Sequence, residues 1–281
     1  MIQIIILLLV ALSSIAEAQV RLVLHESPRV MGMAGAFVAV ADDPQASVLN
    51  PAGLRNVPQI GHDFTFSTAP GPTPDQLATA LANPGTEYGA VFGTAFLAQG
   101  LMDDAPVKYY VAQTGLCWTL FGQSTAGVNL RFPYRTSDID SIPARWEALA
   151  DLSVLQAFGN MRLGAQIERA FGGASDMVPR RLRTGISVGR PGEYVLAYEW
   201  RGGEGQSKYN FRYESSHLGG EIITEKYVAI RGGYIWSESY FLTAGLAIGM
   251  IKQGWRVETG WQFPTGKSGD THWSVGIGYR G

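Results

Sequence analysis

THWSVGIGYR, at residues 271–280, alternates strictly between two kinds of side chain. One face of this stretch carries large apolar residues, Trp273, Val275, Ile277 and Tyr279, and the other carries small or polar ones. A period of two is typical of a β-strand with one apolar face. The same alternation is present in three other segments, 161–168, 239–250 and 253–263. The sequence therefore predicts an all-β fold in which each strand has one apolar side.

Strand length and aromatic placement favour a membrane barrel over a soluble β-sandwich, although both show this period. The alternating segments are about 9 to 12 residues long, which is enough for a tilted strand to cross a bilayer. Aromatic residues lie near both ends of the apolar faces, as in the pairs Tyr194/Trp200, Tyr234/Trp236, Trp255/Phe263 and Trp273/Tyr279. Two aromatic girdles of this kind mark the two membrane interfaces. We therefore predict a transmembrane antiparallel β-barrel.

The connections between these strands alternate between short turns and longer loops, with Ser237-Glu238 as the exception. Short periplasmic turns and longer extracellular loops are usual in outer-membrane barrels, so the C-terminus is predicted to be periplasmic. Twelve strands fit between residue 87 and residue 280, and 58–67 adds a further candidate, which gives 12 to 14 strands. The stretch 68–86 is predicted to be a loop that carries a short helix in DQLATALAN.

Composition excludes several classes of function. Glycine accounts for 35 of 281 residues, charged residues for only 16%, and the net charge is −2, so no basic face for nucleic acid is indicated. The lone Cys117 cannot form an intramolecular disulfide, and the four histidines are too scattered to predict a metal site. We find no motif for a cofactor, a phosphate loop or a nucleophile elbow, and we predict neither a cofactor nor an enzyme.

The N-terminus reads as an export signal. Residues 2–12 are apolar and are followed by Ala16-Glu17-Ala18, a cleavage-site pattern of small residues. The alternative, a short membrane anchor, is disfavoured because the apolar run is well below the roughly 20 residues of a spanning helix. The predicted organisation is a signal peptide at 1–18, an N-terminal segment at 19–57 and a barrel at 58–281.

The N-terminal segment contains GMAGAFVAVADDPQASVLNPAGL at 32–54, which is rich in small residues and fits a polar barrel lumen. Asp43 is a suitable N-cap and Pro44 a suitable first residue for a helix at 44–49, which Asn50-Pro51 would end. We favour helix capping over a catalytic pair as the role of the two adjacent aspartates. The candidate residues of this segment are Gly32, Gly35, Asp42, Asp43, Pro44, Asn50, Pro51 and Ala52.

SPRVMGMAGAFVAVADDPQASVLNPAGL, at 27–54, resembles the N-terminal hatch of FadL-type outer-membrane proteins, a superfamily that includes the PorV/PorQ-like secretion proteins. HLGGEIITEKYVAIRGGY, at 217–234, is similar to a hairpin of the PorV-like branch. The resemblance implies a roughly fourteen-stranded barrel plugged by a hatch, in which Asn50, Pro51 and Ala52 match the hatch Asn-Pro-Ala motif. It also implies outer-membrane lipid and the barrel assembly machinery as partners. The loops are shorter than in FadL transporters, so the ligand-capture site does not carry over.

Two functions follow from this resemblance. The first is a channel for hydrophobic small molecules, gated by the hatch; the alternative is a PorV-like scaffold that handles secreted proteins without transporting them. Seven charged residues are predicted to line the lumen, Arg162, Glu168, Glu199, Arg231, Arg256, Glu258 and Arg280. A third class, a lipid hydrolase, rests only on Ser215 and His217, and it is disfavoured because the sequence shows no partner that would orient the histidine.

Overall fold

The structure, a computed structural model, describes residues 27–58, 60–68, 76–83, 91–99, 107–139, 142–173, 175, 177–190, 192–204, 211–265 and 271–281. The predicted signal peptide at 1–18 and the first residues of the predicted N-terminal segment lie outside this part of the chain. The three predicted domain boundaries therefore stay predictions.

Within the described residues the chain forms one antiparallel sheet of fifteen strands. The strands are β1 Gly61–Thr68, β2 Gln76–Asn83, β3 Val91–Gln99, β4 Val107–Phe121, β5 Ser124–Ser137, β6 Arg145–Trp146, β7 Leu149–Phe158, β8 Met161–Phe171, β9 Arg181–Arg190, β10 Tyr194–Glu204, β11 Phe211–Thr224, β12 Val228–Trp236, β13 Phe241–Gly249, β14 Gly254–Pro264 and β15 His272–Arg280. The two-residue β6 pairs only with the end of β5, beyond the part of β5 that pairs with β7.

The sheet closes on itself because β1 pairs with β15 and β4 pairs with β5. With β6 counted as an extension, fourteen strands surround the barrel, so the predicted all-β barrel of 12 to 14 strands is confirmed. Closure leaves no exposed sheet edge in this ring. None of the helices in the described part of the chain is long and apolar enough to cross a membrane.

The two faces of the strands differ as the alternation predicts. In β15 the side chain of Ile277 is 49% exposed, whereas Ser274 is 0% exposed on the opposite face. Trp255 and Val257 of β14 likewise point outward, while Glu258 is buried. The outer surface is therefore apolar and the inner surface is polar or small, the reverse of a soluble barrel.

One element was predicted wrongly. Residues 76–83 form strand β2 and not the helix expected in the stretch 68–86. In β2 the alanines Ala78, Ala80 and Ala82 are buried on the inner face, and the residues between them are less buried. Pairing with both β1 and β3 outweighs the helical preference of alanine and leucine.

The connections define two ends of the barrel. Two-residue turns join β4 to β5 and β7 to β8, and at the same end three- or four-residue turns join β9 to β10, β11 to β12 and β13 to β14. We call this the short-turn end and the opposite one the long-loop end. The C-terminal Arg280 pairs with Gly61 and Gly254, which places both the end of β15 and the start of β1 at the short-turn end.

Candidate functional site in the barrel interior

Residues 27–57, hereafter the inner segment, lie inside the closed ring of strands. Three short helices occur here, α1 Pro28–Gly32, α2 Ala46–Leu49 and the 3-10 helix Pro51–Asn56. Helix α1 packs against β12 to β15, α2 against β2 to β4, and the 3-10 helix against β3, β4, β5 and β7. On the remaining side, Val38 lies against β8 and β9 and Met33 lies against β11, so the inner segment fills the interior of the barrel. In its apolar core, Met33, Phe37 and Leu54 are 0% exposed.

Glycines of the wall make room for the inner segment. A Cβ atom added at Gly127, Gly164 or Gly219 would overlap the backbone of Ala52, Val38 or Met33. Similar contacts with the inner segment occur at eleven wall glycines, which we call the glycine belt: Gly61, Gly93, Gly115, Gly127, Gly164, Gly185, Gly219, Gly233, Gly245, Gly260 and Gly276. Eight of these form four direct cross-strand pairs, Gly93/Gly115, Gly164/Gly185, Gly219/Gly233 and Gly245/Gly260. The belt lets two backbones approach without an intervening side chain.

Polar side chains of the wall bind the backbone of the inner segment. Six of them donate hydrogen bonds of 2.7–3.0 Å to its carbonyl oxygens: Thr243 to Gly32, Arg201 to Gly35, Ser187 to Ala39, Arg162 to Val40, Gln113 to Ser47 and Thr125 to Ala52. In the reverse direction, Glu199 Oε2 accepts from the backbone N–H groups of Phe37 at 2.9 Å and Val38 at 2.8 Å. These bonds satisfy peptide groups that have no helix or strand partner.

Arg29 of α1 is the centre of a buried group of charges. Its Nη1 donates to Asp42 Oδ1 at 2.6 Å and to Asp43 Oδ2 at 2.7 Å. Its Nε and Nη2 donate to the two carboxylate oxygens of Glu221, on β11, at 3.0 and 2.7 Å. Burial alone would lower the pKa of the Arg29 guanidinium, but attraction to Asp42, Glu221 and Asp43 raises it well above its ordinary value, so the side chain stays cationic. Arg29 therefore joins two distant parts of the inner segment to each other and to the wall.

The charges continue along the wall of the barrel. Arg231 bonds to Glu221 at 2.6 Å and to Glu258 at 2.7 Å, Glu258 also pairs with Arg256, and Arg256 contacts Asp63 at 2.5 Å. Arg280 lies 3.9 Å from Asp43 and so returns to the inner segment. We call these four arginines and five carboxylates the ionic cluster: Arg29, Asp42, Asp43, Asp63, Glu221, Arg231, Arg256, Glu258 and Arg280. Removing one member of such a set leaves its partners buried without compensation.

A second group of charges lies on neighbouring strands. Arg183 of β9 contacts Glu199 of β10 at 2.7 Å and Glu168 of β8 at 3.4 Å. Arg201 also bonds to Glu199, at 2.8 Å, so one carboxylate holds two arginines and two backbone N–H groups. This concentration of bonds on Glu199 fixes the turn at Phe37 against the wall.

All seven charged residues predicted to line the lumen point inward. Four belong to the ionic cluster, Glu168 and Glu199 belong to the second group, and Arg162 binds the Val40 carbonyl. Their functional role stays a prediction. The sequence reasoning did not single out Arg29, Asp63 or Glu221. The signal for Asp63 and Glu221 was available, because each occupies an inward position of an alternating strand next to apolar outward residues.

The predicted helix at 44–49 is shorter than expected and has a different start. Helix α2 begins at Ala46, although Asp43 Oδ1 still accepts from the Gln45 N–H at 2.9 Å. Asn50 ends α2, as predicted, but its Oδ1 accepts from the Ala52 N–H at 3.1 Å and so begins the 3-10 helix, which was not predicted. Asp43 is not the N-cap of α2, a position that Gln45 occupies without a side-chain cap bond. The second carboxylate oxygen of Asp43 binds Arg29, so the aspartate pair has an ionic role and not the predicted capping role.

Ser215 and His217 are hydrogen-bonded, with 2.7 Å between Oγ and Nε2. The other ring nitrogen of His217, Nδ1, lies 2.5 Å from the Ala34 carbonyl oxygen of the inner segment. Because a carbonyl only accepts, Nδ1 carries the proton and Nε2 accepts from the serine hydroxyl. The histidine thus has an orienting partner, and that partner ties β11 to the inner segment. Among the described residues, no three His, Cys, Asp or Glu side chains are placed to hold a metal ion.

Comparisons with known proteins agree on the fold and give nothing at the level of sequence. No family profile matches the chain, and no curated protein matches it. Among solved structures, the CymD monoaromatic hydrocarbon channel superposes with a TM-score of 0.65 at 12% identity, covering 91% of this chain and 97% of that one. The Pseudomonas putida toluene transporter TodX gives 0.64 at 11% identity, with 93% and 98% covered.

A Pseudomonas aeruginosa FadL homologue gives a TM-score of 0.65 at 9% identity, covering 90% of this chain and 98% of that one. The chain has the FadL-type barrel fold. The similarity extends over nearly the whole length of each neighbour, so the FadL-type fold describes the complete barrel and not one hairpin. At these identities it carries no residue role from the neighbours to this chain.

Proposed function

We propose that this protein is an outer-membrane channel for small hydrophobic molecules and that the inner segment is its hatch. The proposal rests on one observation above all, that residues 27–57 fill the barrel and bind its wall by ionic and backbone contacts. A solute can pass only if this segment moves. Transport would then depend on a conformational change, without any chemical step.

The outer surface supports a location in the outer membrane. Large apolar side chains, among them Leu242, Ile248 and Val257, are each more than half exposed, a state that is costly in water and favourable in lipid. Aromatic residues stand at the ends of this surface, where Trp255 packs against Tyr279 at 4.9 Å between ring centroids. An exported barrel of this kind would reach the membrane through the barrel assembly machinery.

Three solved proteins of this fold suggest which class of solute is transported. CymD is named as a monoaromatic hydrocarbon channel and TodX as a toluene transporter, and the third is a FadL homologue. We propose the same broad class, small hydrophobic molecules, for this chain.

The scaffold alternative has less support. It was suggested by the hairpin at 217–234, which forms strands β11 and β12. Its two inward-facing charged residues are engaged inside the barrel, because Glu221 binds Arg29 of the inner segment and Arg231 binds both Glu221 and Glu258. A role inside the barrel therefore accounts for this hairpin without a secreted partner.

Uptake by whole cells tests the proposal. Radiolabelled toluene would be supplied to cells whose outer membrane contains lipopolysaccharide, with the full protein, with a variant lacking residues 32–54, or with neither. We expect faster uptake with the full protein than with neither, and still faster uptake with the deletion. Equal uptake in all three, together with co-purification of a secreted protein, would reject the channel and favour the scaffold.

A further inference from the structure

Five apolar side chains line the inner wall at the long-loop end of the barrel. They come from three strands and are Ala78, Val107, Tyr109, Val111 and Leu149, none more than 8% exposed. Residues further along the same faces of β2 and β4, such as Ala80 and Cys117, contact the inner segment, so this face is the lumenal one. We call these five residues the mouth site. It differs from the polar wall near the ionic cluster, because apolar side chains are expected to face outward in a membrane barrel.

The mouth site is occupied by the protein itself. Met177 and Val178, from the connection between β8 and β9, are 0% and 2% exposed and pack against it. Both belong to a connection that starts on a different strand from any of the five wall residues. Residues 177 and 178 of this connection therefore point into the barrel mouth and not into solvent, where a loop residue is usually found.

A few local polar contacts fix the backbone around Met177 and Val178. Ser175 Oγ accepts from the N–H groups of Met177 at 3.1 Å and Val178 at 2.9 Å. Arg169 Nη1 donates to the Ser175 carbonyl at 3.1 Å. Gly172, with φ of +116°, precedes them in a conformation that favours glycine. These polar contacts are with the backbone of the connection, and the side chains of Met177 and Val178 meet the mouth site by apolar packing.

We infer that Met177 and Val178 act as an internal ligand, and that a small apolar molecule entering from the long-loop end binds the mouth site by displacing them. This inference rests on the proposed function, because it names the first binding site of the same channel. An apolar thioether and an isopropyl group fill a site that offers apolar contacts, so a hydrocarbon makes equivalent contacts there. Competition with the internal ligand reduces the apparent affinity to the intrinsic affinity multiplied by the fraction of time that the site is empty.

Thiol labelling tests the displacement directly. Met177→Cys, in a Cys117→Ser background, would be reacted with N-ethylmaleimide in the presence and absence of toluene. We expect toluene to accelerate labelling at least fivefold, because it moves a fully buried side chain into solvent. Glu238→Cys, on an exposed turn, is the matched control and should react at the same rate in both conditions. Equal rates at residue 177 with and without toluene would overturn the inference.

A substitution that fills the mouth site gives a second measurement of labelling at residue 177, in case Met177→Cys alone perturbs the connection between β8 and β9. Val111→Trp places a large side chain in the mouth site and should expel the internal ligand permanently. Residue 177 would then label quickly without toluene and would no longer respond to it; a persistent toluene response would contradict the assignment. If toluene speeds labelling but is not taken up, the channel proposal is rejected and the mouth site is supported. If toluene is taken up but does not change the labelling rate, the mouth site is rejected and the channel proposal is supported.

Discussion

Replacing Arg29 should release the inner segment, and the expected size of the effect follows from its contacts. Arg29→Met keeps much of the side-chain volume but removes four hydrogen bonds, two to Glu221 and one each to Asp42 and Asp43. Three carboxylates then stay buried beside an apolar group. Breaking a buried ion pair in this way costs about 3–5 kcal/mol. This corresponds to a rise of roughly two to three and a half orders of magnitude in the population of the displaced segment.

Cys117 reports that population. It is the only cysteine of the chain, it is 0% exposed on the inner face of β4, and its Sγ donates to the Ala52 carbonyl at 3.3 Å. A small methanethiosulfonate reagent in the lumen can reach it only when the inner segment has moved. Its labelling rate in Arg29→Met should therefore rise by a factor that approaches the population change.

A matched control separates this effect from a general loss of charge. Arg190 is 63% exposed in its side chain and lies 3.8 Å from the similarly exposed Glu193, so Arg190→Met should leave the labelling of Cys117 unchanged. Labelling in Arg29→Met at the rate of the unmodified protein, with the barrel intact by heat-modifiable electrophoretic mobility, would refute the role given to the ionic cluster.

Three further changes probe other contacts of the inner segment. Gly164→Ala should destabilise the seated segment by about 1–3 kcal/mol, because the new methyl group overlaps the Val38 carbonyl, and should speed Cys117 labelling; Gly173→Ala, with no atom within 4 Å of the added carbon, is its control and should have no effect. Asn50→Ala loses bonds to Val38 and Ala52 and should raise the Cys117 labelling rate by about tenfold, with partial rescue by Asn50→Ser. Glu199→Gln weakens the acceptor that holds the turn at Phe37, and planar-bilayer recordings should show more frequent openings than for the unmodified protein.

The barrel could be predicted from the sequence because its determinants are local. A period of two places Trp273 outward and Ser274 inward whatever the neighbouring strand is, so strand identity and facing follow from short segments. The exception was β2, where alanine and leucine also suit a helix, and only the pairing with β1 and β3 decides between the two. Strand β2 is also the one strand of the fourteen that the sequence did not locate, although the predicted range of 12 to 14 includes it.

The interior could be predicted only in part. The inward position of Arg231 and Glu258 follows from alternation, but their bonds depend on which strands become neighbours in the closed ring. Arg29 reaches Glu221 across 192 positions of sequence, a contact that no local pattern contains. The inward turn of Met177 was likewise hidden, because a long connection between two strands reads as an external loop. These features are determined by contacts between residues that are far apart in sequence and meet when the barrel closes, and not by the secondary-structure preferences of single residues.

The glycine belt has a consequence for the cell that carries this protein. At the level of the glycine belt, the barrel wall carries almost no side chains that would narrow the lumen. Without residues 27–57, that level would fill with water and would have few groups able to exclude detergents, dyes or antibiotics. Bacteria producing the barrel without its inner segment should therefore become sensitive to large antibiotics such as vancomycin. Selection against such leakage would act on the inner segment and the glycine belt together, since enlarging the side chains of either one would displace the segment.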